Sequence, residues 1–151
     1  MTSDTCSTTT ARKLALDVLA AAPNAELARY WEHFADKPTH RRLRGPETGL
    51  VMVRGRAGGG GAPFNVGEAS VSRASVRLET GETGHGYCLG RDLAKAETIA
   101  VIDALRQRDS GRVDVEIIAP LRDAIAAEDA RRRAETAATK VDFFTMVRGD
   151  D

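Results

Sequence analysis

Apolar positions change their period several times along the chain, and each change predicts an element. Leu14, Val18 and Ala21 share one helical face, widened by Ala15, Leu16 and Leu19, which predicts a helix from about Ala11 to Ala22. Thr8–Thr10 offer its caps and Pro23 ends it. Asn24 can cap a second helix from about Ala25 to Ala35, where Leu27, Tyr30, Trp31 and Phe34 recur at spacings of three and four. Pro38 stops it, and the basic stretch His40–Pro46 reads as a connector.

Periodicity then shortens. Leu50–Val53 and Phe64–Leu78 read as β-runs on either side of Gly58–Gly61 and Pro63, a turn that no helix survives. Val71 lies on one parity and Ala74, Val76 and Leu78 on the other, which predicts a bulge near Ser72–Arg73. A second turn, Glu79–Gly84, leads into an alternating run in which His85, Tyr87 and Leu89 interleave with Gly86, Cys88 and Gly90. Three neighbouring strands on short turns predict an antiparallel meander.

Helical spacing returns at Leu93, Ala96, Ala100, Val101, Ile102 and Leu105, with Asp92 as N-cap, an end near Arg108 and a face broad enough to cover the sheet. Val113, Val115, Ile117 and Ile118 suggest a fourth strand within Arg112–Ala119. Pro120 opens a last helix to about Ala138, striped with Ala124, Ala127, Ala130, Ala134 and Ala138. The expected fold is α+β: an antiparallel sheet of three to four strands with packed helices, an N-terminal helical pair, and an extended C-terminal helix followed by an apolar tail. The chain divides into a disordered N-terminus over 1–10, a single α+β domain over 11–138 and a C-terminal arm over 139–151. That arm gathers Val141, Phe143, Phe144, Met146 and Val147, which would aggregate if left in water. It reads as an arm docking onto a partner in preference to a last strand on the chain's own sheet.

Composition refines this picture. At 151 residues one domain is the default. Seven aromatic side chains make a thin core, so burial against partner chains is expected. Balanced charge, 22 basic against 22 acidic residues, argues against nucleic acid as the main partner. No apolar run approaches a membrane span, and Met1–Thr10 lacks the apolar core of a signal peptide. Two cysteines, Cys6 and Cys88, make no disulfide framework, and a cytoplasmic location is expected. The three histidines are too scattered for a metal template. Cations are nevertheless uneven, with Lys37, Arg41, Arg42, Arg44, Arg54 and Arg56 set against Glu47 alone between Lys37 and Arg56.

The glycine loop has two readings. It can be a plain hairpin turn, or Gly58, Gly59, Gly60 and Gly61 can turn backbone N–H groups toward an anion while Arg54, Arg56, Arg73 and Arg91 supply charge. It is not a Walker loop, because no Lys-Ser/Thr pair follows, nor a dinucleotide fingerprint, because Pro63 and a β-run follow instead of a helix. No nucleophile elbow and no complete catalytic set is visible. A stand-alone anion- or nucleotide-binding regulatory module is the alternative function that this loop supports.

Several motifs taken together carry a resemblance. Glu47-Thr48-Gly49-Leu50-Val51, Arg56-Ala57-Gly58-Gly59, Arg73-Ala74-Ser75-Val76-Arg77-Leu78, Leu89-Gly90-Arg91-Asp92 and the terminal Val141-Asp142-Phe143-Phe144-Thr145-Met146-Val147-Arg148-Gly149-Asp150 closely resemble the PhnG family. That family is the G subunit of the bacterial carbon–phosphorus lyase core complex. The resemblance implies a subunit working with H, I and J subunits, chiefly the I subunit. The complex displaces adenine from ATP with a phosphonate, giving ribose 1-phosphonate 5-triphosphate. ATP and phosphonate are then substrates of the complex, and the iron–sulfur and S-adenosylmethionine chemistry belongs to the J subunit. This chain has no cysteine cluster for such a centre. The resemblance assigns it no catalytic residue.

Overall fold

The computed structural model describes residues 3–57 and 60–139. Helix α1 (Ser3–Ala21) begins at Ser3, not near Ala11, so the stretch expected to be disordered is helical from Ser3 onward. Pro23 separates it from α2 (Asn24–His33). Strands β1 (His40–Gly55), β2 (Phe64–Leu78) and β3 (Thr83–Leu89) form one antiparallel sheet in the order β1-β2-β3. Helix α3 (Leu93–Arg108) follows, then α4 (Ser110–Val113), a π-turn over Asp114–Ile118, and α5 (Ala119–Ala138). This is the expected α+β fold with a three-stranded sheet.

Three local expectations change. The basic stretch His40–Pro46 is not a connector but the first part of β1, pairing from His40↔Leu78 to Arg44↔Ser75. It resembles a loop because of Gly45-Pro46. A proline is tolerated there because β1 is an edge strand and the ladder shifts register between Arg42 and Arg44 and between Arg44 and Glu47. The bulge expected near Ser72–Arg73 is absent from β2, whose register with β3 runs unbroken from Val71↔Leu89 to Arg77↔Thr83. The irregularities belong to β1.

The fourth strand is helical. Val113, Ile117 and Leu121 are all fully buried, a spacing of four that belongs to one helical face, whereas Val115 is 73% exposed. Asp109 restarts the helix by accepting the Arg112 backbone N–H at 3.1 Å. The π-turn ends two residues before Pro120, whose missing N–H would interrupt an ordinary α-helical ladder.

One face of the sheet carries the core. Ala74, Val76 and Leu78 from β2 and Cys88 from β3 pack beneath α3, whose Ile99, Ile102 and Leu105 are buried. Leu19 of α1, Leu27 of α2, the adjoining Phe34, and Ile117 and Leu121 close the far side. On β3, Gly84 and Gly86 share the face of Cys88 that lies against α3. A Cβ at Gly84 would lie 2.0 Å from the Ala100 carbonyl oxygen, and one at Gly86 would lie 1.9 Å from that of Ala96. The glycines therefore let the helix backbone, with its row Ala96, Ala100 and Ala104, rest directly on the strand.

A buried ion pair fixes α1 to this unit. Asp103 of α3 is almost fully buried and accepts both Arg12 Nε (2.9 Å) and Nη2 (2.7 Å), and also the His85 backbone N–H (2.9 Å). Its carboxylate thus finds three donors from two other elements, which compensates for desolvation.

Candidate functional site

The expected anion-binding residues are not gathered at one place. Arg54 sits near the tip of the β1–β2 hairpin, opposite Asn65, and Arg56 Nη1 donates to the Gly61 carbonyl (3.2 Å) across the loop. Gly60 and Gly61 lie in that exposed loop, while Gly58 and Gly59 fall outside the described residues. Arg73 is mid-strand in β2, eight residues beyond Asn65 and so roughly 27 Å along the strand. Its Nε donates to Glu47 (2.6 Å). Arg91 is exposed in the turn between β3 and α3. The structure brings Arg56 to the loop but leaves Arg73 and Arg91 elsewhere. Val141, Phe143, Phe144, Met146 and Val147 also lie outside the described residues.

What the fold does assemble is an uncovered ribbon. Beyond the Val71↔Leu89 pair β3 ends, and α3 starts at that same end of the sheet. From there β1 and β2 continue alone, pairing from Leu50↔Ser70 to Gly55↔Phe64. The alternation places Leu50, Met52, Val66 and Phe64 on the face that α3 covers lower down. Here no described residue covers them: Leu50 is 62% exposed, Val66 60% and Phe64 50%. Val51 and Val53 are exposed on the opposite face. An isolated two-stranded ribbon is marginal in water, and one with apolar residues on both faces is unusual on a free surface. The ribbon's outer edge is β1, where Gly49–Val53 carries neither proline nor charge to deter pairing.

The sheet face away from α3 is polar and basic. Arg41 and Arg77 are directly opposed on β1 and β2, Arg44 and Ser75 form the next row, and Glu47 and Arg73 the one after. Glu47 takes Arg44 Nε and Arg73 Nε, both at 2.6 Å, and these contacts, led by Arg73, hold its carboxyl below the usual range. On β3, His85 Nδ1 lies 2.9 Å from Ser75 Oγ. No triad follows, because the neighbouring carboxylate, Asp103, accepts the His85 backbone N–H and not its ring. Cys88 faces the core, where burial pushes its thiol pKa up, opposite to what a nucleophile needs. Arg42 points toward α3 instead and forks onto Glu97 (2.7 and 2.9 Å).

A third feature is an apolar groove of about 630 Å³ between α1 and the start of α5, lined by Leu14, Val18, Val115, Ile118 and Ile125. Among the described residues no cluster of His, Cys, Asp and Glu suits a metal ion, and no helix is long and apolar enough to cross a membrane.

The sequence model of a family described as phosphonate metabolism protein PhnG matches residues 10–149. The chain belongs to the PhnG family. A relative from Rhizobium meliloti (strain 1021) is 55% identical over 141 residues, covering 93% of this chain and 90% of that protein. That relative is named alpha-D-ribose 1-methylphosphonate 5-triphosphate synthase subunit PhnG. The family match spans the ribbon, the open sheet face and α5 alike, so these features belong to the part of the chain that defines the family. Sequence reasoning found the ribbon's strands but missed its isolation. The signal was in the lengths, since β1 and β2 run for 16 and 15 residues and β3 for only 7.

Proposed function

We propose that this chain is a subunit of a multi-subunit enzyme that forms a ribose 1-phosphonate 5-triphosphate from ATP and a phosphonate, with adenine displaced. Its role is to complete and support the complex, with the reacting atoms held chiefly by companion subunits. The companions are H, I and J subunits, and the I subunit is the main contact. The ribbon is the observation that carries this reading: Leu50, Met52, Phe64 and Val66, interleaved with Ser70 and Glu68, form a largely apolar face on a two-stranded arm that the described residues leave bare. The high identity to a synthase subunit over nearly the whole chain supports the same role. The apolar tail at Val141, Phe143, Phe144, Met146 and Val147 is proposed as a second docking element. Arg54, Arg56 and the glycine loop at the ribbon tip would then meet the companion subunits, where they can face a bound anion.

The test is adenine release from ATP and methylphosphonate by purified subunits mixed with and without this chain. Loss of at least tenfold in rate when it is omitted is expected. Full release without it would contradict the proposal. A stand-alone nucleotide-binding module has weaker support, because Arg73 and Arg91 lie away from the glycine loop and leave only Arg54 and Arg56 beside it.

A further inference from the structure

Arg41 and Arg77 sit directly opposite one another on neighbouring strands, on the open face of the sheet. Like charges in this arrangement repel. Nearby arginines have carboxylate partners: Arg42 pairs with Glu97, and Arg44 and Arg73 share Glu47. Among the described residues neither Arg41 nor Arg77 has a carboxylate within ion-pair distance. Arg77 Nε donates to the Gly81 carbonyl oxygen (3.2 Å), which anchors its guanidinium over the β2–β3 turn and leaves the two terminal nitrogens for another acceptor. The two residues line a cleft of about 440 Å³ with His40, Leu78, Glu79 and Gly81. Glu79 brings one negative charge to this cleft without pairing to either arginine.

We propose that this cleft is an anion site for a phosphoryl group, held between the Arg41 and Arg77 guanidiniums. Cross-strand partners have Cα atoms about 5 Å apart, so two forks can converge on one small tetrahedral ion. A carboxylate offers two oxygens and is satisfied by one fork. A phosphoryl group offers three and can use both, which selects this class of ligand. His85 lies on the same open face, roughly 7 Å further along the strands, where a second phosphoryl group of a short polyphosphate would reach. The cleft is at the base of the β1–β2 hairpin, at the opposite end from the glycine loop. The inference does not depend on which subunits the chain joins.

The test titrates inorganic pyrophosphate into the full-length chain by calorimetry at low salt, with methylphosphonate in a parallel series. Saturable binding of one ion per chain is expected for at least one of the two ligands, and the tighter of them names the source of the phosphoryl group. Arg41→Ala and Arg77→Ala should each weaken binding at least tenfold, Glu79→Gln should tighten it severalfold, and Arg131→Ala on α5 should leave it unchanged. Both arginines are exposed, so the variants are expected to melt within a few degrees of the wild type, and Arg41→Lys provides a second, charge-preserving variant with intermediate affinity. Absence of saturable binding of either ligand, or equal binding by wild type, Arg41→Ala and Arg77→Ala, would overturn the site.

Discussion

Gly84 and Gly86 determine how closely α3 can lie on β3, and their effect is steric. A Cβ at Gly86 would meet the backbone of Ala96 and Ala100, which cannot swing aside as a side chain can. Gly86→Ala should therefore cost about 2 kcal/mol or more, an overpacking penalty measurable by denaturant unfolding. A loss below about 0.5 kcal/mol would show that the helix shifts freely. The signal was present in the sequence as glycines of one parity preceding alanines spaced by four. It was legible as a strand but not as a close approach, because nothing in a linear pattern says which helix will face the glycines. The Arg41–Arg77 opposition was hidden for a related reason. Both arginines are plain in the sequence, but their meeting depends on register, and register depends on β1 continuing through Pro46. Charge pairing at this scale also has a pH signature. Arg42 chiefly, with His40 assisting, holds the Glu97 carboxyl below its usual range. A carboxyl lowered in the folded state stabilises fully above its unfolded pKa and loses that contribution as pH falls through the lowered value. Glu97→Gln should thus cost roughly 0.5–1 kcal/mol at neutral pH, discounted for the exposed Arg42, and progressively less as the pH falls through the lowered range. A pH-independent difference would rule out the ion pair as its cause.

Among the elements, the β1–β2 ribbon carries the functional argument. Its strands were readable from Leu50–Val53 and from the run that ends at Leu78. Its isolation was not, because that depends on where β3 stops and α3 begins. Charges placed on its bare face should spare the fold and damage assembly. Leu50→Asp with Val66→Asp is expected to leave the melting temperature of the free chain within about 3 °C, since both residues are exposed, and to reduce capture by a tagged I subunit at least tenfold. Undiminished capture would remove the ribbon from the interface. The segment Arg112–Ala119 shows how a short apolar run misleads. Alternating Val113, Val115 and Ile117 fit a strand, yet Val113, Ile117 and Leu121 fit a helix equally well. Tertiary burial chose the helix, which the length of the surrounding helical pattern favours. Beyond Ala130, α5 is exposed on every side and is supported by its own pairs, Arg131–Glu128 and Arg132–Asp129 among them. An alanine-striped helix of this kind is a further surface suited to close packing with a companion chain.

At the scale of the whole molecule, the fold is a small α+β unit with its core on one side of the sheet and uncovered elements extending from it. The core is sufficient to position the unit: β3 and α3 are joined through glycine contacts, and α1 is tied in through Asp103. The ribbon and the outer half of α5 contribute little to that core, which is the expected form of a chain completed by others. The 55% identity to a synthase subunit supports a place among partner chains, which composition alone could only suggest. A chain that works as a subunit must be recovered in the assembled complex. The chain is co-expressed with a tagged I subunit together with the H and J subunits, and the purified product is weighed by native mass spectrometry. A stoichiometric complex containing this chain is predicted. A folded, soluble chain that remains free beside all three companions would contradict the account.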